Sequence, residues 1–469
     1  MNVSTILEDR NVSQTVAAKT DCYRLILFNG DGTHVLLAGE NYRHFLPELR
    51  IPQFTRPAEQ ITSVLRDTWG IPAVLLFSNR IESDERPCYA VLEACRGNWQ
   101  VPAKLAWYPI EKAASYLIDD GEAVLLQASR AKIVHPSFGA DPEPFSRLGW
   151  AQRLHDWVQL TVRPLGMELV DLLQFNGSET FNLLRFGTTS RPLWFKAVGK
   201  PNLHEFPITL TLSRLFPNYL PKILSSDPLL NGWLMESGGE VTLRDVEDFD
   251  TWRNAVCRLA GLQIESIPQT SQLSKAGCRD LSMGTLTSLV DPFFYAMAGL
   301  MQQQIKNPPP PLTRAELTAV ASAVTNALHL LSDCGIPYTL GHGDFNPGNI
   351  LVEDDRCVFT DWAEAHVGHP FLTLEYLLAH LRMSCPALAI QEDQLREVYA
   401  DCWRSIMCAA SIERGLQLSP LIAVYASAIS SNSWRDPKRL AVPHVVGYLR
   451  SLTRRMRHEA SKLHKRENS

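Results

Sequence analysis

The sequence predicts an α+β protein, sheet-rich in its first half and mostly helical in its second. Three features lead there. Short β-type runs separated by Gly- and Asn-containing turns recur up to residue 198, a Pro-rich break at 135–147 divides them into two groups, and helical sequence dominates beyond about residue 240. At 469 residues the chain has room for two or three folding units of roughly 150 residues each.

Composition narrows the setting before any motif is read. A formal charge of -5 gives no general attraction to nucleic acid or acidic lipid. The start, MNVSTILEDR, lacks a basic segment followed by an apolar core, and no stretch approaches the roughly 20 apolar residues that span a bilayer. Ten scattered cysteines include no Cys-x-x-Cys pair, so reduced thiols and a cytoplasmic location are expected, with neither membrane nor nucleic acid as a partner.

Strand-like YRLILF (23–28) and VLL (35–37) flank Asn29-Gly30-Asp31-Gly32, a hairpin signal. AEQITSVLRDTW (58–69) then reads as a helix opened by Pro57 and stopped by Gly70, after which VLLF (74–77) returns to strand. This first unit, 1–140, resembles the Nudix domains, whose metal-holding loop and helix carry G-x5-E-x7-R-E-U-x-E-E-x-G-U. Anchored on Gly70-Ile71, Ser63 and Val64 take the arginine and glutamate positions, and Asp67 and Thr68 take the paired glutamates. One carboxylate remains, too few for a hard divalent ion. The resemblance therefore implies a Nudix-like α/β/α domain that does not hydrolyse pyrophosphate; an unrelated α+β domain is the alternative.

HPSFGADPEPFSR (135–147) is Pro-rich and precedes helical WAQRLHDWVQ (150–159), so a second unit starts near 145. Within it, LLQF (172–175), TFNLLRF (180–186) and LWFKAV (193–198) read as three antiparallel strands. NPPPPLTRAEL (307–317) lies between helical segments and reads as a loop inside one domain.

The chemistry concentrates in GHGDFNPGNILVEDDRCVFTDWAEA (341–365). Asn349 follows Asp344 by five positions, and Asp361 follows Asn349 by twelve. A hairpin of ILV (350–352) and CVFT (357–360) folds Asp361 back beside Asn349. Phosphoryl transfer needs oxygen ligands for magnesium and a carboxylate facing the acceptor hydroxyl. Asp344 suits the acceptor, Asn349 and Asp361 the metal, and His342 a structural task.

This stretch resembles the aminoglycoside phosphotransferase and choline kinase group, whose catalytic loop reads H-G-D-x-x-x-x-N and is followed by an aspartate after a hairpin. His342-Gly343-Asp344 and Asn349 match every fixed position, and Asp361-Trp362-Ala363 stands where protein kinases have D-F-G. The resemblance implies a kinase-like bilobal fold: an antiparallel-sheet N-lobe at 145–238 and a helical C-lobe at 239–469. It also implies ATP and Mg2+ as cofactors and a small hydroxylated substrate as partner. Lys196, amid apolar strand residues, corresponds to the lysine on the nucleotide phosphates; a solvated edge lysine is the alternative.

Glu205, nine positions on, is either its carboxylate partner or a charge meeting a helix dipole. Asn176, Gly177 and Ser178 are either the phosphate-covering loop or a plain hairpin turn. Met235 and Glu236 fall at the adenine-binding hinge, followed by Gly238-Gly239.

Two further features have competing readings. The acidic run Asp245 to Asp250 either attracts a cationic substrate or caps the helix after it. The basic tail Arg450 to Arg466 either meets acidic partners or is a solvated terminal helix. The leading expectation is an ATP-dependent O-phosphotransferase. The alternative is a catalytically weak nucleotide-binding regulator whose Nudix-like domain senses a ligand. The acceptor's identity, ATP versus GTP as donor, and oligomeric state have no signature in the sequence.

Overall fold

The computed structural model describes residues 19–40, 43–79, 88–97, 99–134, 144–178, 180–354 and 356–467. Residues 135–143 of the expected boundary, Glu179 and Asp355 of two expected turns, and residues 1–18 lie outside them. The chain forms two compact units, Met1–Phe206 with Ile223–Ser237, and Pro207–Lys222 with Gly238–Ser469.

The first unit opens with β1 (Thr20–Phe28), β2 (His34–Glu40), β3 (Arg43–Phe45), β4 (Glu48–Pro52), α1 (Pro57–Trp69), β5 (Ala73–Asn79), β6 (Cys88–Ala94), β7 (Leu105–Pro109), α2 (Ile110–Tyr116) and α3 (Asp120–Val134). The seven strands form one sheet of order β3-β2-β1-β6-β5, with β4 also on β1 and β7 on β2; β1 and β6 run parallel. The expected first hairpin is present. Asp31 Oδ1 accepts from the Thr33 amide at 3.0 Å and Asn29 N–H donates to the His34 carbonyl at 3.0 Å, closing the turn.

Helix α1 begins with Pro57 and ends on Gly70 in the left-handed region, φ 67°, as Pro-first and Gly-last chemistry dictates. It buries Ala58, Ile61, Thr62 and Leu65. Asp67, the remaining motif carboxylate, is engaged by Arg66, whose Nε lies 2.7 Å from Oδ1. Among the described residues no group of three or more His, Cys, Asp or Glu is arranged to hold a metal ion.

After α4 (Trp150–Val162), β8 (Leu169–Gly177), β9 (Phe181–Thr188) and β10 (Leu193–Val198) follow, then α5 (Glu205–Leu215), β11 (Ile223–Asp227) and β12 (Gly232–Glu236). These strands make a five-stranded antiparallel sheet of order β11-β12-β10-β9-β8. Trp150, Leu154 and Val158 of α4 pack with Phe186, Phe195 and Leu234 beneath it.

Both sheets belong to this unit and are joined by a buried side chain. The Gln174 amide accepts from the Leu75 N–H at 2.7 Å and donates to the Leu75 carbonyl at 3.0 Å, filling the place of a strand partner for β5.

The second unit is mostly helical. Its elements are β13 (Val241–Thr242), α6 (Phe249–Ser266), α7 (Thr270–Ala276), β14 (Arg279–Leu281), α8 (Met283–Ser288), α9 (Val290–Gln302), α10 (Arg314–Asp333) and β15 (Thr339–His342). β16 (Ile350–Glu353), β17 (Arg356–Phe359), β18 (Ala365–Gly368), α11 (Phe371–Ser384), α12 (Pro386–Ala389), α13 (Glu392–Trp403), α14 (Ala409–Ser430), α15 (Pro437–Leu440) and α16 (Pro443–Glu467) complete it. Two small sheets, β13-β16-β17 and β14-β18-β15, present the catalytic-type stretch, and α6, α11 and α13 build the core around Trp252, Leu377 and Trp403.

Asp248 caps α6, accepting from the Thr251 amide at 2.8 Å, so the acidic run ends in a helix cap as the second of its two readings has it. The Pro-rich 307–313 is a loop between α9 and α10, which starts with a Thr313/Glu316 capping box. The basic tail is not simply solvated. α16 buries Leu449, Leu452 and Met456, and Arg450 donates to the Leu300 carbonyl at 2.9 Å. No helix among the described residues is long and apolar enough to cross a membrane.

Candidate active site

In the second unit β15 delivers His342, Gly343 and Asp344 in sequence. His342 is buried against Trp362, with ring centroids 4.5 Å apart. Its Nδ1 accepts from the Asp344 amide at 3.3 Å, so the proton sits on Nε2, which donates to the Thr360 carbonyl at 2.9 Å. The imidazole thus ties the start of the loop to the end of β17, a structural task. At Gly343 a Cβ would stand 2.5 Å from the Glu364 carbonyl oxygen, which accepts the Gly343 N–H, so only glycine fits this crossing.

Beyond Asp344 the loop is held by its own amides. Asn346 donates to Asp344 Oδ1 at 3.1 Å and accepts from the Gly348 amide at 2.9 Å, and Pro347–Asn349 forms a 3-10 turn. Asn349 Nδ2 donates to the Asp344 carbonyl at 2.8 Å. The β16–β17 hairpin pairs Ile350 with Phe359, and the Thr360 amide bonds the Asn349 carbonyl at 2.9 Å. Asp361 follows at once, in the left-handed region at φ 65°. A non-glycine residue in that conformation carries strain that the surrounding bonds must hold.

One residue outside the motif touches the Asp344 carboxylate. Tyr376, on α11, donates its hydroxyl to Asp344 Oδ1 at 2.9 Å. Burial, then the Asp344 charge and this bond, push the Tyr376 hydroxyl well above the usual phenol range, so it remains a donor. Among the described residues Oδ1 therefore accepts two bonds, while Oδ2 has only a 3.4 Å contact from Asn349. Arg244, in the 3-10 turn before α6, donates to Asn346 Oδ1 at 3.0 Å.

In the first unit Lys196 and Glu205 meet in a buried pair, Nζ to Oε1 2.5 Å, beneath Phe181 and Trp233. The short separation is accommodated because β10 ends at Val198 and Glu205 stands in the first turn of α5, so both readings of Glu205 hold together. Asn176 and Gly177 end β8, paired with Leu183 and Asn182 of β9, and Ser178 opens the turn, its N–H donating to the Phe181 carbonyl at 3.1 Å. Met235 lies opposite Trp194 at the end of β12, and Glu236 accepts from Arg191 at 2.7 Å.

Sequence reasoning missed Tyr376, Asn346 and Arg244. Asn346 sits inside the motif at a position the pattern leaves variable.

Residues 217–403 match the phosphotransferase enzyme family model (APH). That match spans Arg244, Asp344, Asn349, Asp361 and Tyr376 and supports a phosphotransferase. A comparison with curated proteins gives no match. Among solved structures, the chain is similar to choline kinase from Cryptosporidium parvum Iowa II, with 11% identity, TM-score 0.48, and 68% of this chain and 97% of that chain covered. It is also similar to ethanolamine kinase from Plasmodium vivax, with 14% identity, TM-score 0.45, and coverages of 71% and 93%. A macrolide 2'-phosphotransferase from Brachybacterium faecium gives 14% identity, TM-score 0.42, and coverages of 64% and 98%.

Proposed function

We propose that the protein is an ATP-dependent phosphotransferase that moves the γ-phosphate to a hydroxyl of a small molecule, with Asp344 facing that hydroxyl. The observation that carries the reading is the asymmetry of the Asp344 carboxylate: Tyr376 and Asn346 occupy Oδ1, and Oδ2 keeps lone pairs for an incoming hydroxyl. Oδ2 takes the acceptor proton as the acceptor oxygen bonds to the γ-phosphorus; the bond from phosphorus to the β–γ bridging oxygen breaks, and ADP leaves.

Asn349 and Asp361 suit magnesium because it keeps several waters and needs only one or two protein oxygens beside the substrate phosphates. Bound there, it would supply charge neutralisation of those phosphates. Lys196, fixed by Glu205, serves the nucleotide phosphates. Asn176, Gly177 and Ser178 cover them, and Met235 and Glu236 hold the adenine. Residues 1–140 form a Nudix-like, non-hydrolytic domain, 145–238 an N-lobe and 239–469 a C-lobe, in a cytoplasmic protein.

The test is release of ADP from ATP and magnesium on incubation with a panel of hydroxylated metabolites and aminoglycosides. Acceptor-stimulated ADP release is expected. Nucleotide binding without turnover on any acceptor would favour a nucleotide-binding regulator instead.

A further inference from the structure

The surroundings of Asp344 are aromatic and cationic. Tyr376 bonds it directly, and His380, one turn further along α11, packs its ring 4.9 Å from the Tyr376 ring. Arg244 reaches the loop from the other side: its guanidinium bonds Asn346, the residue that in turn holds Asp344, and a Cβ on Gly348 would stand 2.8 Å from its NH2.

On α16, Tyr448 and Arg455 are seven residues apart and share a face. Arg455 acts electrostatically on both Tyr448 and His380, each of which also feels the Asp344 charge. Among the described residues neither Arg244 nor Arg455 is ion-paired with a carboxylate. Glu364, a carboxylate close enough to act on Tyr376, is engaged by Arg279. Burial pushes the His380 imidazole below its ordinary range, so it stands there neutral at pH 7.

A polycation brought to Asp344 would meet the Arg244 guanidinium, which bonds Asn346 and has no carboxylate ion pair among the described residues, with Arg455 acting on His380 beside Tyr376. That repulsion works against a cationic acceptor, whereas guanidinium forks match carboxylate and phosphate geometry. We infer that the acceptor is a small hydroxylated anion, bearing a carboxylate or a phosphate that Arg244 and Arg455 receive while Tyr376, His380 and Tyr448 wall its carbon skeleton. This assignment rests on the phosphotransferase reading above and names the substrate class of that site.

The test is calorimetry on the full chain saturated with magnesium and adenylyl imidodiphosphate, which fills the nucleotide site without turning over. Glycerol 3-phosphate and glycerate are the anionic probes, and choline and kanamycin the cationic ones. At least one anionic probe should bind saturably and at least tenfold tighter than either cation, and which of the two binds better distinguishes phosphate from carboxylate. Arg455→Gln and Arg244→Gln should each weaken that binding about tenfold, with Arg244→Lys recovering part of it.

Cations binding as tightly as the anions, no saturable anion binding, or affinity unmoved in both glutamine variants would overturn the inference while leaving the phosphotransferase reading intact. Failure of the nucleotide analogue itself to bind would overturn that reading, and this inference with it.

Discussion

The Tyr376 hydroxyl donates to Oδ1 of Asp344 across 2.9 Å, from a helix 32 residues further along the chain. A hydrogen bond to a charged group contributes about 1.5–3 kcal/mol. If the bond fixes the carboxylate for chemistry, Tyr376→Phe should lower kcat by roughly 10- to 100-fold, because about 1.4 kcal/mol corresponds to tenfold. Nucleotide affinity, measured by calorimetry, should stay within a factor of about two. An undiminished kcat with chemistry rate-limiting would show that Asn346 alone orients Asp344.

The Lys196–Glu205 pair separates folding from function. Both side chains are buried, at 9% and 2% exposure, and removing one partner of such a pair costs about 3–5 kcal/mol. Glu205→Ala should therefore lower the denaturant midpoint and weaken ATP binding together. Replacing both at once, as Lys196→Met with Glu205→Leu, should recover much of the stability but none of the ATP affinity. If the double variant bound ATP normally, the pair would be purely structural.

What was legible in the sequence is local. Asp344, Asn349 and Asp361 lie within one hairpin-closed stretch, so their spacing alone brings them together, and the turn chemistry around Asn29 to Gly32 and Pro57 to Gly70 fixes its elements in the same way. What was not legible comes from far along the chain. Tyr376 and Arg244 reach the site across 32 and 102 residues, and Gln174 meets Leu75 across 99. Such contacts are selected by tertiary packing and leave no periodic trace; Tyr376 is one more large residue in an apolar helix. The docking of α16 was missed because its many arginines mask the buried stripe of Leu449, Leu452 and Met456.

Glu93 should make the first unit sensitive to pH. It is fully buried on β6, with Oε2 accepting from the Gly149 amide at 2.8 Å, and burial pushes its carboxyl from 4.5 up to about 7 in spite of that bond. The folded chain then holds a proton that the unfolded chain has lost between pH 4.5 and about 7. Stability from this group is thus complete below pH 4.5 and falls as pH rises through that window, by on the order of 3 kcal/mol. Glu93→Gln keeps an acceptor without the charge. Its thermal midpoint should fall less between pH 5 and pH 8 than that of the wild type, and parallel profiles would show that Glu93 titrates alike in both states.

The two carboxylates of the 341–365 stretch, Asp344 and Asp361, should fail in different ways. Asp361, held in a left-handed conformation, directly follows Thr360, whose amide bonds the Asn349 carbonyl, and on the reading proposed above it is the charged metal ligand. Asp361→Ala leaves the neutral amide alone, so magnesium-dependent ATP binding should be lost while the fold persists, as circular dichroism can verify. On the same proposed reading Asp344 faces the acceptor instead. Asp344→Asn preserves shape and the acceptor oxygen for Tyr376 but removes the charge that takes the proton; turnover should fall by about 10²- to 10⁴-fold with ATP affinity little changed. Slow hydrolysis of ATP by water offers the readout until an acceptor is in hand, because the same oxygen would orient the attacking water. The crossed pattern is the decisive one. If Asp344→Asn lost magnesium-ATP binding while Asp361→Ala kept it, the two roles would have to be exchanged, and the asymmetry of Oδ1 and Oδ2 would no longer mark the acceptor side.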